Sequence, residues 1–289
     1  MIQPLSNGLY FALLSMLLAG INDVVFKKYS AKERSRGMYV LGIGLTWALL
    51  QLLWMQVEGL QFHAEVTTVT YGLLAGALLT VSNLFLIEGL THIHVSLGST
   101  VYRLNTIGVV ILSFLVLSEP VGTFKVAGIV LGIIAVLMMY GGGHASGTVD
   151  KSALFFWLVI CASFFRALYG VVSKIGLSAQ ADAQSMLLLI ALCWVVGGAF
   201  YARMVEKRLV VTGKKIVYSL LSGFLVFGIV NFLMSGLKIA QASIVIPIAN
   251  MSFIVALLVS LVLKIEVLTI RKSIAAGLAV FSILLLLNA

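Results

Sequence analysis

The chain has 289 residues, 61% hydrophobic and only 10% charged, with a formal net charge of +9 and a mean hydropathy of +1.14. A soluble domain is about a quarter charged, and no soluble core of this size needs so much apolar surface, so the expected solvent is lipid. The positive excess calls for no nucleic acid, because it sits mainly at helix ends on one face.

The start, "MIQPLSNGLYF", has no Lys or Arg before its first apolar run, so that run is read as a retained helix rather than a secretory signal. Ten apolar runs follow, at 8–26, 38–57, 69–88, 96–118, 124–140, 153–173, 185–202, 217–236, 241–263 and 273–288. Each is near the ~20 residues that cross about 30 Å of hydrocarbon. Span 8–26 ends in "AGINDVVFKK", where Asp23 is either an interfacial partner of Lys27 or a proton-coupling carboxylate. Span 69–88 holds Asn83 and closes on Glu88, the second candidate for coupling. His92 and His94, in "THIHVS", stand two apart with no third ligand nearby; they read as interfacial histidines, and no metal is expected.

Span 96–118 carries Tyr102, Arg103 and Asn105, with Arg103 about 10 Å deep at 1.5 Å per residue. Span 153–173 carries Arg166 near its middle and Tyr169 one turn later. An unpaired arginine at a helix centre costs at least ~2.5–3.5 kcal/mol, so both are expected to face the bundle interior. Two readings compete: a structural ion pair with Asp23 or Glu88, or a wet cavity in which guanidinium binds an anionic group of a solute. An arginine that pairs with an acid when empty and with solute when full satisfies both. Asn231 lies in span 217–236, and Asn250 follows Pro247 in "IVIPIANMS", where proline removes a backbone hydrogen bond and frees a carbonyl. Asparagine between helices is also ordinary interhelical glue. Cys161 and Cys193 read as packed thiols, Glu119 and Glu266 as anchors of the helix that follows each, and Gly72/Gly76, Gly128/Gly132 and Gly197/Gly198 as faces for close helix approach. "GGGHASG" at 141–147 reads as a flexible connection between halves.

Residues 71–125 align without a gap on 218–272, at an offset of 147, with fourteen of 55 positions identical. Gly76/Gly223, Gly89/Gly236, Glu119/Glu266 and Lys125/Lys272 are among them, and Arg103 falls opposite Asn250. At an offset of 146, "AGINDVVFKK" lies over "FRALYGVVSK" and matches Lys28 with Lys174. Five spans per copy is an odd number, so the copies are expected to enter the membrane in opposite directions and to place a substrate site near the midplane where they meet.

The two stretches "VILSFLVLSEPVGTFKVAGIVLGIIAVLMMYGG" and "LSGFLVFGIVNFLMSGLKIAQASIVIPIANMSFIVALLVSLVLKIEVLT" resemble the EamA-type branch of the drug/metabolite transporter superfamily. The resemblance implies ten helices in two five-helix units and a central cavity made by helices 1, 3, 4, 6, 8 and 9. Thr100 and Arg103 depart from the second copy, which has Pro247 and Asn250. Of the nineteen Lys and Arg, fourteen fall in loops on one side and three on the other, which predicts the basic loops 27–37 and 203–216 in the cytoplasm and both termini outside. The resemblance implies the reverse, with cytoplasmic termini.

The reading is therefore an all-α integral membrane protein of the cell (inner) membrane, with units at 1–146 and 147–289. It is expected to be a secondary transporter, not an enzyme, that moves a small anionic or zwitterionic metabolite (an amino acid, carboxylate or phosphorylated compound) by alternating access. An exporter or flippase of drug-like or lipid-headgroup substrates is the alternative, and an integral-membrane enzyme a lesser one, since the acids and histidines do not converge. No nucleotide-binding motif is found, so no cofactor is expected, and energy must come from a gradient or from exchange, with protons or a counter-substrate as the candidate partners. The candidate site is Arg103, Arg166, Asn250, Tyr102, Asn105, Tyr169, Asn83 and Asn231, in a monomer or homodimer.

Overall fold

The computed structural model describes residues 3–30, 35–90, 101–140, 149–207, 211–264 and 268–288. His92, His94, Thr100, Glu266 and the 141–147 connection lie outside the described residues, as does the side chain of Lys27. The described chain is helical, in the order α1 (Gln3–Ser30), α2 (Arg36–Val57), α3 (Val66–Leu90), α4 (Asn105–Leu117), α5 (Thr123–Tyr140), α6 (Val149–Ser178), α7 (Ala183–Met204), α8 (Gly213–Ile239), α9 (Ala242–Asn250), α10 (Phe253–Val262) and α11 (Ile270–Leu287). Among the described residues, eight helical segments are long and apolar enough to cross a membrane, with α9 and α10 together forming one; Val101–Leu117 and Thr123–Met138 are shorter apolar helices.

Helix starts follow side-chain chemistry. Ser35 caps α2 by accepting from Met38 N at 3.2 Å, and Asp182 caps α7 by accepting from Ser185 N at 2.7 Å. Residues 35 and 182 are 147 apart. Leucines and valines such as Leu49, Leu53, Val57 and Val196 cover the outer surface, where lipid is their natural solvent.

The pairings of helices are α1 with α8, α3 with α6, α2 with α7, and α5 with α11. Close contacts come where glycine removes a side chain. A Cβ on Gly198 would lie 2.4 Å from Leu41 N, and one on Gly20 would lie 2.6 Å from Ser252 O. The paired glycines of the sequence also face helices: Gly72 meets Leu189, Gly128 and Gly132 meet Ser282, and Gly197 meets Thr80. Many contacts come in couples that are 147 apart at both partners. Gly76 meets Cys193 as Gly223 meets Thr46, and Gly20 meets Val255 as Gly108 meets Ala167. The last couple puts the first helix on the offset of 147 rather than 146.

Two of the expectations for single residues change. Both cysteines are free thiols, but Cys161 is exposed on the outer surface rather than packed. Glu119 does anchor a helix start, although not that of α5, which follows it. Its Oε1 accepts from Ala242 N at 2.7 Å and its Oε2 from Ser243 N at 3.0 Å, at the start of α9 in the other half of the chain. Sequence order suggested α5, and tertiary packing brings the 118–122 turn to α9 instead.

Candidate substrate cavity

Both the Val101–Leu117 helix, just before α4 begins, and the α9–α10 segment are interrupted at the same point of their alignment. Leu104 N donates to Val101 O and Ile107 N to Leu104 O; 147 residues later, Met251 N donates to Ile248 O and Ile254 N to Met251 O. These three-residue steps replace the four-residue ladder, so the Asn250 carbonyl loses its usual partner, Ile254 N. The break falls after Pro247, and its carbonyl is that of Asn250, not the one four residues before the proline. No proline stands at Leu104, so the geometry does not depend on one.

Arg103 fills the gap. Its Nη1 donates to Asn250 O at 2.7 Å and to Ser252 Oγ at 3.0 Å, and its Nη2 donates to Asp23 Oδ2 at 2.6 Å. Ser252 Oγ donates in turn to Asp23 Oδ2 at 3.1 Å, and the guanidinium lies 5.8 Å from the Phe253 ring centre. Asn250 Nδ2 donates to Asn105 Oδ1 at 2.6 Å and to Thr106 Oγ1 at 3.0 Å. Thus the partner of Asp23 is Arg103, from α4, across the bundle. The contact between residues 103 and 250 joins two positions that are 147 apart.

A cavity of about 250 Å³ adjoins this cluster. Asp23, Asn83, Tyr102, Arg103, Asn105, Arg166, Tyr169 and Asn250 all line it. Its walls come from α1, α3, the 102–105 segment with α4, α6, α8 and α9, with Trp194 added by α7. It runs from mid-helix toward Phe26, Leu86 and Ile87, near the ends of α1 and α3 that lead into loops 27–37 and 89–95. Arg166 stands 5.3 Å from the centre of the Tyr169 ring, and it has no ion pair among the described residues.

Two candidates fall outside the lining. Asn231 Nδ2 donates to Gln51 Oε1 at 3.0 Å and to Phe227 O at 2.8 Å, which makes it a link between α8 and α2. Glu88 accepts from the Tyr201 hydroxyl of α7. Sequence reading missed Asn22, Trp194 and Ser252, all in the wall. Ser252 carried a signal, since the offset of 147 puts it opposite Asn105.

The opposite end of the bundle is closed by polar contacts between the halves. Besides the Glu119 bonds to α9, Lys125 Nζ donates to Pro120 O at 2.6 Å, to Ser243 Oγ at 3.1 Å and to Gln241. At the same end, but within the second half, Lys174 Nζ donates to Leu237 O at 2.6 Å and Ala240 O at 2.8 Å and ties α6 to the end of α8.

Residues 6–141, which run from α1 to α5, match the model of the EamA-like transporter family. This match supports membership of the drug/metabolite transporter superfamily. The whole chain also aligns with a solved structure described only as a crystal structure of a protein, over 97% of this chain and 96% of that one, with a TM-score of 0.84 at 13% identity. At that identity the likeness shows the fold alone. In a search among curated proteins, no sequence matches. The multi-pass membrane assignment thus rests on the EamA-like match and the apolar helices together.

Proposed function

We propose that this EamA-like protein is a secondary transporter of ten spans, built as two inverted five-helix repeats, which moves a small anionic or zwitterionic metabolite by alternating access. The observation that carries the substrate class is Arg166: a guanidinium in a cavity wall, resting on an aromatic ring, with no carboxylate paired to it among the described residues. A carboxylate or phosphoryl group suits its planar fork. The coupled contacts at an offset of 147 support the repeats, because a half-turn that exchanges the copies converts each contact into its partner. The meeting of residues 103 and 250 supports an axis that passes through the cavity wall.

The cavity occupies the half of the bundle nearer the basic loops, and the Glu119 contacts bind the halves at the other end. Charge bias favours the basic loops on the cytoplasmic side of the cell membrane, and with that orientation the geometry supports an inward-facing form. Rocking one repeat against the other would break the Glu119 contacts and expose the same site to the far side. The experiment is a thermal-shift screen of the purified protein against several hundred small metabolites, repeated on Arg166→Gln. Stabilisation by acids or zwitterions that Arg166→Gln loses by about tenfold or more supports the reading. Hits confined to uncharged or cationic compounds, or hits that Arg166→Gln leaves unchanged, overturn it.

A further inference from the structure

We infer that Asp23 sets the charge number of the transported solute, admitting monoanions and zwitterions and rejecting dianions. This rests on the anion-attracting cavity proposed above and narrows it. Among the described residues, the charged side chains in the lining are Arg103, Arg166 and Asp23, a formal total of one positive charge. Asp23 spends it unevenly. Its Oδ2 takes both Arg103 Nη2 and Ser252 Oγ, so the Arg103 charge is answered within the wall. Arg166 on α6 keeps its charge for whatever enters.

The carboxylate is not sealed away. The Asp23 side chain is 40% exposed where that of Arg103 is 13%, and Oδ1 has no hydrogen bond among the described residues. A solute with one negative charge neutralises the cavity. A second negative charge finds no further cation in the lining among the described residues and must sit within several ångströms of the Asp23 carboxylate. At ~6 Å and an effective dielectric constant near 20, that repulsion disfavours the dianion by roughly a hundredfold, and water in the cavity lowers this toward tenfold. An ammonium group, by contrast, gains Oδ1 as an acceptor. Phosphoryl dianions therefore drop out of the candidate substrates, while carboxylate monoanions and zwitterions remain.

A matched pair of probes tests this at neutral pH with the full-length protein in detergent: succinamate, with one negative charge, and succinate, with two. Binding is read by thermal shift over a concentration series, with β-alanine as the zwitterion. Wild type is expected to favour succinamate over succinate by about tenfold or more. Asp23→Asn raises the cavity charge by one and should shift that ratio by at least about tenfold toward succinate. Asn22→Asp, beside it in the wall, adds a carboxylate with the Arg103–Asp23 pair intact; it should weaken succinamate by about tenfold and spare β-alanine. An unchanged ratio in Asp23→Asn, or, should that variant not fold, unchanged succinamate binding in Asn22→Asp, overturns the inference and leaves Asp23 a structural counter-ion of Arg103. Arg166→Gln serves as the separate arm: if it leaves binding of both acids intact, the underlying site reading falls, whatever Asp23→Asn does. No stabilisation of wild type by any of the three probes overturns both.

Discussion

Arg103 shows how an arginine becomes tolerable inside an apolar bundle: three of its donor contacts end on acceptors that the fold supplies. One acceptor is a carboxylate, one a hydroxyl, and one a carbonyl released by a helix break. Removing the cation strands the carboxylate. Fully buried pairs lose roughly 3–5 kcal/mol when one partner goes, but Asp23 is partly open to the cavity, so Arg103→Gln should cost about 2 kcal/mol. Ser252→Ala removes one bond from each ion and should cost about 1 kcal/mol. Thermal melting of the purified variants checks the order; equal melting for wild type and Arg103→Gln would mean the cluster adds no stability. Arg103 and Arg166 were legible because a charge in an apolar run is costly and therefore noticed. Ser252, Asn22 and Trp194 were not, since serine, asparagine and tryptophan each fit a membrane helix without any site. Asn231 shows the reverse case: a polar residue in a span drew attention, and its side chain lies outside the cavity lining, where it links α8 to α2.

At the scale of the element, helices are plain in the sequence because hydrocarbon forces backbone groups to pair within their own segment. The ends were less plain: the run read as 8–26 belongs to Gln3–Ser30, and 153–173 to Val149–Ser178, because polar turns extend a helix beyond the lipid. The interruptions at Leu104 and Met251 were half legible. Pro247 pointed to the second, and nothing in the local sequence marks the first. Glycine faces were legible as spacing, and the structure adds what stands opposite. That difference yields a test. At Gly198 a new Cβ meets the Leu41 backbone, which cannot yield, so Gly198→Ala should destabilise by about 1–3 kcal/mol. At Gly277 on α11 a Cβ meets nothing within 4 Å, so Gly277→Ala should be neutral or stabilise by about 0.5–1 kcal/mol. Denaturation curves that rank these two the other way would contradict the α2–α7 packing.

At the scale of the whole molecule, the Glu119 carboxylate works across the halves. It is 8% exposed and holds the first two backbone amides of α9, where a helix start favours negative charge. Glu119→Ala leaves those amides unanswered and should loosen the end opposite the cavity. With Cys161 and Cys193 replaced, a cysteine in place of Val226, which lines the cavity, reports this by its reaction with a membrane-impermeant thiol reagent. It should react from the face that carries Lys207→Cys and resist from the face that carries Gln61→Cys; Glu119→Ala should raise the second rate by about tenfold. No change in that rate would mean that other contacts keep the end shut. The same labels report which face is cytoplasmic, where charge bias and family resemblance differ.

The contact between Arg103 and the Asn250 carbonyl has an evolutionary corollary. Two identical five-helix chains, placed head to tail about an axis, would present the same residue from either side of it. Arginine would then confront arginine at the spot where the guanidinium now finds an acceptor, and asparagine facing asparagine would leave Asp23 with no cation. On the proposed repeat reading, two copies of different sequence, whether joined in one chain or paired as separate ones, assign the cation to one side and the receiving carbonyl to the other.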